Sequence, residues 1–104
     1  TFLGWIYKPL DNSEAKLRDV FVDGDNYVVV CQNKNQEGIV AKVDRSNFAV
    51  TFEQKYGDYL YGIDKATDDD YLLAGFSEKT DETTNSYVAK IDPTNGTVVE
   101  RIKD

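Results

Sequence analysis

Short apolar runs separated by polar clusters extend along the whole chain. Runs of Val, Ile, Leu, Tyr and Phe alternate with clusters of Asp, Asn and Gly, and no window repeats apolar residues at helical spacing over several turns. Branched and aromatic residues bounded by turn-forming residues are typical of β-strands. The pattern predicts an all-β chain whose strands lie near residues 3–8, 17–22, 26–32, 38–44, 50–55, 60–66, 71–76, 86–92 and 98–103.

The polar clusters have the chemistry of tight turns. The segments DGDN at 23–26 and DDD at 68–70 separate paired strands, and PTNG at 93–96 places Asn and Gly where a tight turn requires positive φ. DRSN at 44–47 fills the equivalent place in the first half. The third strand of each half, YVVVC or YLLAGF, is apolar at consecutive positions, which predicts that both of its faces are covered.

The chain also repeats itself. VDGDNYVVV recurs 44 positions later as ATDDDYLLA, and VAKVD recurs 48 positions later as VAKID. The difference falls in the polar segment 77–86, which reads as a loop insertion opposite the shorter 32–37. A third correspondence joins WIYK, FEQK and ERIK, so we expect one domain with units at 3–49 and 50–97 and a further unit beginning at 98–104.

A repeat of about 48 residues with four antiparallel strands and a doubly covered inner strand describes a β-propeller blade. The expected fold is therefore two four-stranded antiparallel blades plus a ninth strand. Two blades do not close a ring, since propellers have about four to eight. The chain is then a fragment, or several copies complete one ring, or the two sheets pack face to face as a sandwich.

The segments FEQKYGD, TDDDYLLAGFS and SYVAKIDPTNGTVVERIK resemble the tandem repeats of bacterial secreted and surface β-propeller proteins. The resemblance covers nearly the whole chain and is weaker in the first half, where Val30 and Cys31 stand at the positions of Ala74 and Gly75. It implies a propeller fold and an extracellular or cell-surface location. It implies no particular ligand, because propellers host many unrelated functions.

Composition narrows the classes of partner. A 104-residue chain with 40% hydrophobic and 30% charged residues is expected to form one small globular domain. With a formal charge of −7, the chain lacks the excess of basic residues that is typical of a nucleic-acid-binding protein. The apolar runs are far shorter than the ~20 residues that a helix needs to span a bilayer. We therefore expect neither a nucleic-acid partner nor a membrane span. Because the chain starts with Thr1 and contains no Met, a processed protein or an excised segment is expected.

The absence of His removes most catalytic chemistry. Ser-His-Asp and Cys-His nucleophile systems and His-containing zinc sites cannot be assembled. No glycine-rich phosphate loop is present, and no cofactor or metal is expected. Carboxylate chemistry remains, but no pair stands out among the 19 acidic residues as a glycosidase acid and base. The lone Cys31 ends an apolar run and is expected to be a small buried hydrophobe.

Two sets of charged residues have a functional and a structural interpretation. The acidic set comprises Asp23, Asp25 and the run 68–70, which could supply oxygen ligands to calcium but which is better explained by turn chemistry. Lys42 and Lys90 occupy matching strand positions, where we expect them to reach solvent or acidic neighbours rather than to bind an anion.

Aromatic residues are the candidate ligand-binding residues. They are Trp5, Tyr7, Tyr56, Tyr59 and Tyr61. Such side chains bind sugars and protein groups because they bring large rigid area at low entropic cost. The alternative is that Trp5, Tyr59 and Tyr61 fill the interface between the two units.

The favoured function is a non-enzymatic interaction scaffold, a propeller segment of a secreted or surface protein with a protein or carbohydrate partner. The runner-up is a lectin-like protein whose two-blade chains oligomerise into a closed ring with sugar sites between blades. A carboxylate-based enzyme stands third. Because an isolated pair of blades leaves one face and both end strands uncovered, self-association or docking to further blades is also expected.

Overall fold

The computed structural model describes residues 15–33, 37–56, 59–78 and 84–103, and these ranges form eight β-strands without a helix. The strands are β1 (Ala15–Asp23), β2 (Asn26–Asn33), β3 (Gly38–Asp44), β4 (Val50–Tyr56), β5 (Tyr59–Lys65), β6 (Tyr71–Glu78), β7 (Thr84–Ile91) and β8 (Val98–Lys103). The predicted all-β class is confirmed. The expected strand near 3–8 lies outside the described residues. Within them, no helix is long and apolar enough to cross a membrane.

The strands form two separate four-stranded antiparallel sheets, ordered β1-β2-β3-β4 and β5-β6-β7-β8. β8, expected to begin a further unit, is instead the fourth strand of the second sheet, and β4 likewise closes the first sheet. The expected unit boundaries therefore fall inside the sheets. The reason is that a sequence period fixes the spacing of equivalent strands but not the strand at which a sheet starts.

The repeat extends to the irregularities of the two sheets. The β1–β2 register shifts between Leu17 and Asp19, and the β5–β6 register shifts between Leu60 and Gly62. The pairing of the third and fourth strands shifts directly after Lys42 in one sheet and directly after Lys90 in the other. Bulges at matching places give both sheets the same local twist.

The turn between the third and fourth strands is built identically in both sheets. Asp44 Oδ1 accepts hydrogen bonds from the N and Oγ of Ser46 at 2.8 and 2.6 Å. Asp92 Oδ1 accepts from the N and Oγ1 of Thr94 at the same two distances, 2.8 and 2.6 Å. Positions 48 and 96 then take positive φ, at 61° and 77°. These Asx turns confirm that Asp at this place serves turn formation.

Each sheet has two unlike faces, which the registers identify. The lysine face carries Lys42 or Lys90. Its central cross-strand rows are Phe21–Val28–Lys42–Phe52 in the first sheet and Asp64–Leu72–Lys90–Glu100 in the second. The alanine face lies opposite, with rows Val20–Val29–Ala41–Glu53 and Ile63–Leu73–Ala89–Arg101.

The main core lies between the lysine face of the first sheet and the alanine face of the second. It joins Val28, Val30, Val40, Phe52 and Tyr56 to Leu60, Ile63, Tyr71, Leu73, Ala89 and Ile91. A smaller cluster of Val29, Cys31 and Ile39 is buried on the alanine face of the first sheet. The lysine face of the second sheet remains exposed, with Leu72 at 36% and Val88 at 38% of full exposure.

Candidate functional site

Polar contacts join the two sheets beside the main core. We call this line of contacts the seam, and its residues are Asp23, Lys42, Lys65, Tyr71 and Pro93. The hydroxyl of Tyr71 donates to Asp23 Oδ2, and Lys65 Nζ donates to Asp23 Oδ1 at 2.9 Å. These bonds, first that of Tyr71 and then that of Lys65, hold the pKa of the Asp23 carboxyl below its ordinary value. Burial, followed by the bond to Asp23, raises the pKa of Tyr71 well above its ordinary value. The folded state therefore stabilises the charged form of the Asp23 carboxyl.

Lys42 crosses the same seam. Its Nζ donates to the carbonyl oxygen of Pro93 at 2.9 Å and lies 5.6 Å from the centroid of the Tyr71 ring, within cation–π range. Phe21 meets that ring edge to face, with centroids 5.3 Å apart. Although hydrogen bonds are the larger cause, the charge of Lys42 contributes to the lowered pKa values of Asp23 and Asp92, so the expectation of acidic neighbours is confirmed. Its hydrogen bond to a backbone carbonyl of the second sheet was not predicted.

Three further side chains of the first sheet bind backbone groups of the second. Asp19 Oδ2 accepts from the N–H of Ile63 at 3.0 Å, and Gln32 Oε1 accepts from the N–H of Leu60 at 3.2 Å. The hydroxyl of Tyr56 donates to the carbonyl oxygen of Gly96 at 2.6 Å. These contacts use side chains of the first sheet to satisfy buried backbone groups, so they serve docking of the sheets rather than chemistry.

The three predicted aromatic residues that the structure describes differ widely in exposure and do not form one platform. Tyr56 is 7% exposed and belongs to the core, so its ring cannot stack on a ligand. Tyr61 lies at the β5 bulge and is 53% exposed, while Tyr59 is half-buried. Trp5 and Tyr7 lie outside the described residues. Of the candidates that the structure describes, Tyr61 is the most exposed to solvent.

Two lysines form ion pairs with the acidic run at 68–70. Lys90 contacts Asp68 and lies 3.9 Å from Asp70, and Lys65 lies 3.6 Å from Asp69. The hydrogen bond from Lys90 lowers the pKa of Asp68. The prediction that Lys90 meets acidic neighbours is confirmed. Across the described ranges, no group of three or more Cys, Asp or Glu is arranged to hold a metal ion.

Cys31 is buried, as predicted. Burial, with a smaller contribution from the charge of Glu53, raises the pKa of its thiol to about 12. Because the thiolate is the nucleophilic form, Cys31 is unreactive at neutral pH.

An open polar depression of about 360 Å³ lies at the turn end of the first sheet. Its lining residues are Asp25, Tyr27, Asp44, Arg45 and Ser46. The guanidinium of Arg45 lies 5.7 Å from the centroid of the Tyr27 ring, and its Nη1 donates to the carbonyl oxygen of Gly24 at 3.1 Å. Sequence reasoning missed this site. The sequence feature that could have predicted it is the arginine of the turn DRSN at 44–47. Pairing of Asn26 with Asp44 brings this turn to the same end of the sheet as the acidic turn DGDN at 23–26.

No protein-family model, no curated protein and no solved structure gives a significant match to this chain.

Proposed function

We propose that this chain is a pair of β-propeller-type blades that acts as a non-enzymatic interaction scaffold in a bacterial protein at the cell surface or outside the cell. The observation that carries the proposal is the use of unlike faces where the two sheets meet. The lysine face of the first sheet packs on the alanine face of the second, which is head-to-tail stacking. A sandwich with two-fold symmetry would bring like faces together.

The strand order of the two sheets supports the same arrangement. Asp23, at the end of β1, bonds to Lys65 at the end of β5. Lys42 of β3 reaches the turn that follows β7, and Tyr56 of β4 reaches Gly96 just before β8. β5 also lies against β1, β2 and β3 of the first sheet, so the sheets stack in the same strand sense without each strand lying over its equivalent. Repetition of one such step generates a radial array of blades.

A scaffold without catalysis accounts for how the polar side chains are used. Asp19, Asp23, Gln32 and Lys42 are engaged in contacts between the sheets. The acidic run beside Lys65 and Lys90 is paired with those lysines. Removing these side chains would weaken the packing of the two sheets, so a structural role accounts for them without a catalytic one.

The second candidate is a lectin-like protein that binds carbohydrate. The exposed ring of Tyr61 favours it, because a half-exposed aromatic ring can stack on the apolar face of a sugar. In this alternative, neighbouring Tyr59 would extend the surface.

The experiment that separates the two candidates is a glycan array probed with the wild-type chain and with Tyr61→Ala and Tyr59→Ala. The scaffold proposal predicts no sugar binding that depends on either ring. Val99→Ala is the matched control, since Val99 is exposed to a similar degree at 59%. Sugar binding that is lost in the tyrosine variants and kept in the control would replace the scaffold with the lectin.

A further inference from the structure

The exposed lysine face of the second sheet keeps the apolar centre of a face that is an interface elsewhere in the same molecule. Val28 and Val40 are fully buried where the first sheet docks on the second, and their repeat equivalents are Leu72 and Val88. Leu72 and Val88 are 36% and 38% exposed and adjoin Ala74, also exposed. The internal interface therefore indicates the kind of element that fits this surface, namely another sheet laid across it.

The flanks of the two lysine faces differ in charge. The row through Lys42 ends in Phe21 and Phe52, whereas the row through Lys90 ends in Asp64 and Glu100. In the first sheet, Phe21 packs edge to face on Tyr71. A partner that offered an apolar ring at these places would bury two carboxylates without supplying a cation for either, which is strongly unfavourable.

The lysine of the second sheet offsets these acids only in part, because the charge of Lys90 interacts with Glu100 but is shared with Asp68 and Asp70. Lys90 is held by Asp68 and Asp70 of its own sheet. The first sheet has Gly24 and Asn26 at the matching turn positions, so Lys42 is left to cross to its neighbour. The open face is therefore an apolar centre with net negative flanks.

We propose that the lysine face of the second sheet is a docking surface for a β-structured protein segment that presents apolar side chains flanked by basic ones. The proposal rests on the scaffold function above and names the partner chemistry of that scaffold. Basic side chains opposite Asp64 and Glu100 would pair with both carboxylates, while the apolar centre covers Leu72 and Val88. A second copy of this chain fits poorly, because its formal charge is −7 and its own open face carries the same acids.

The test uses a cysteine-bounded random peptide library displayed on phage and selected against the wild-type chain. The expected winners carry apolar residues flanked by Lys or Arg. Their binding is lost in Leu72→Lys/Val88→Lys and weakened about tenfold in Asp64→Asn/Glu100→Gln, as expected for two exposed ion pairs. Leu17→Lys/Val22→Lys is the control of equal charge change, at residues that are 50% and 55% exposed on β1, and it leaves binding unchanged.

Circular dichroism and the thermal midpoint of each variant show whether its fold is intact. The inference is overturned if no peptide is enriched, if the winners are acidic, or if a folded Leu72→Lys/Val88→Lys variant binds them as well as the wild type. Light scattering tests for self-association through the same surface. A concentration-dependent dimer that is abolished by Leu72→Lys/Val88→Lys would show that a second copy of the chain, rather than a basic partner, binds the lysine face of the second sheet. Sugar binding dependent on Tyr61 would instead defeat the scaffold function, so the two failures are distinguishable.

Discussion

The two lysine faces are built from repeat-equivalent positions but differ in what covers them. In the first sheet, Val28 and Val40 are fully buried against the second sheet, and Lys42 reaches across to Pro93. In the second sheet, Val88 is 38% exposed, and Lys90 turns back to Asp68. The same strand sequence, VAK, thus forms an interface in one sheet and an open surface in the other. The comparison teaches that the repeated strand sequence alone does not decide whether its face is covered.

The two sheets carry different residues at the equivalent positions of Cys31 and Gly75, and the largest expected effect follows from that difference. A Cβ at Gly75 would lie 2.3 Å from the carbonyl oxygen of Tyr59 and 3.2 Å from Leu60, so Gly75→Ala must displace β5. We expect a loss of about 3 kcal/mol in the free energy of unfolding. Cys31→Ala, at the equivalent place where a side chain fits, should lose no more than about 1 kcal/mol. Urea unfolding measures both, and equal losses would contradict the steric conflict expected between a Cβ at position 75 and β5.

The third turns of the two sheets provide the next comparison. Gly96 has φ of 77°, and a Cβ there would lie 2.8 Å from Phe52 Cε1. Gly96→Ala should therefore destabilise the chain by about 2 kcal/mol. Phe48 takes the same left-handed conformation with a bulky side chain, at φ of 61°. Asn tolerates that region better, so Phe48→Asn should stabilise by about 0.5 kcal/mol. Thermal unfolding that showed Phe48→Asn to be as damaging as Gly96→Ala would contradict this account of the turn.

Replacing Lys42 by alanine should reduce the free energy of unfolding more than replacing Lys90 by alanine. Lys42→Ala removes a charge-assisted hydrogen bond and a cation–π contact between the sheets, and we expect a loss of about 1.5 kcal/mol. Lys90→Ala removes exposed ion pairs within one sheet, which contribute little to stability. Guanidinium unfolding of both variants at neutral pH checks the difference. A loss in Lys90→Ala as large as in Lys42→Ala would mean that the second lysine face is also buried in solution.

Stability should decline at acid pH, and the seam should contribute to that decline. Asp23, Asp44, Asp68 and Asp92 all have pKa values below their ordinary value of 3.8 in the folded chain. A depressed folded-state pKa stabilises the fold above the ordinary value, and that stability is lost as pH falls below it. The thermal midpoint should therefore drop as pH decreases through 3.8 and lower.

Tyr71→Phe isolates the contribution of the seam to that acid dependence. The variant removes the largest cause of the Asp23 shift and keeps the ring, so the dependence of the midpoint on pH should become shallower. Tyr27→Phe, at the repeat equivalent on the alanine face of the first sheet, is the matched control. If Tyr71→Phe retained the full acid dependence, the hydrogen bond to Asp23 would not stabilise the charged carboxyl.

Much of the fold was predictable because its signals are local. Val-rich and Tyr-rich runs gave the eight described strands, and the Asp-containing turns gave their antiparallel order. The unit boundaries were not predictable, since a period does not mark its own start. Which faces of the two sheets meet was not predicted, because VAK occurs in both sheets and what covers it depends on a partner that is distant in the sequence. The aromatic site was only partly predictable, because the sequence does not reveal that Tyr56 is buried while Tyr61 sits at a bulge.

Head-to-tail stacking is tested most directly by the reactivity of cysteines placed at repeat-equivalent positions, Val40→Cys and Val88→Cys. The wild-type chain supplies the baseline, because the thiol of Cys31 is buried and its pKa is about 12. Maleimide labelling under native conditions should modify Val88→Cys rapidly and leave Val40→Cys protected, in line with exposures of 38% and 0% at the two positions. Equal labelling of the two cysteines, whether both fast or both slow, would contradict head-to-tail stacking and favour a symmetric sandwich.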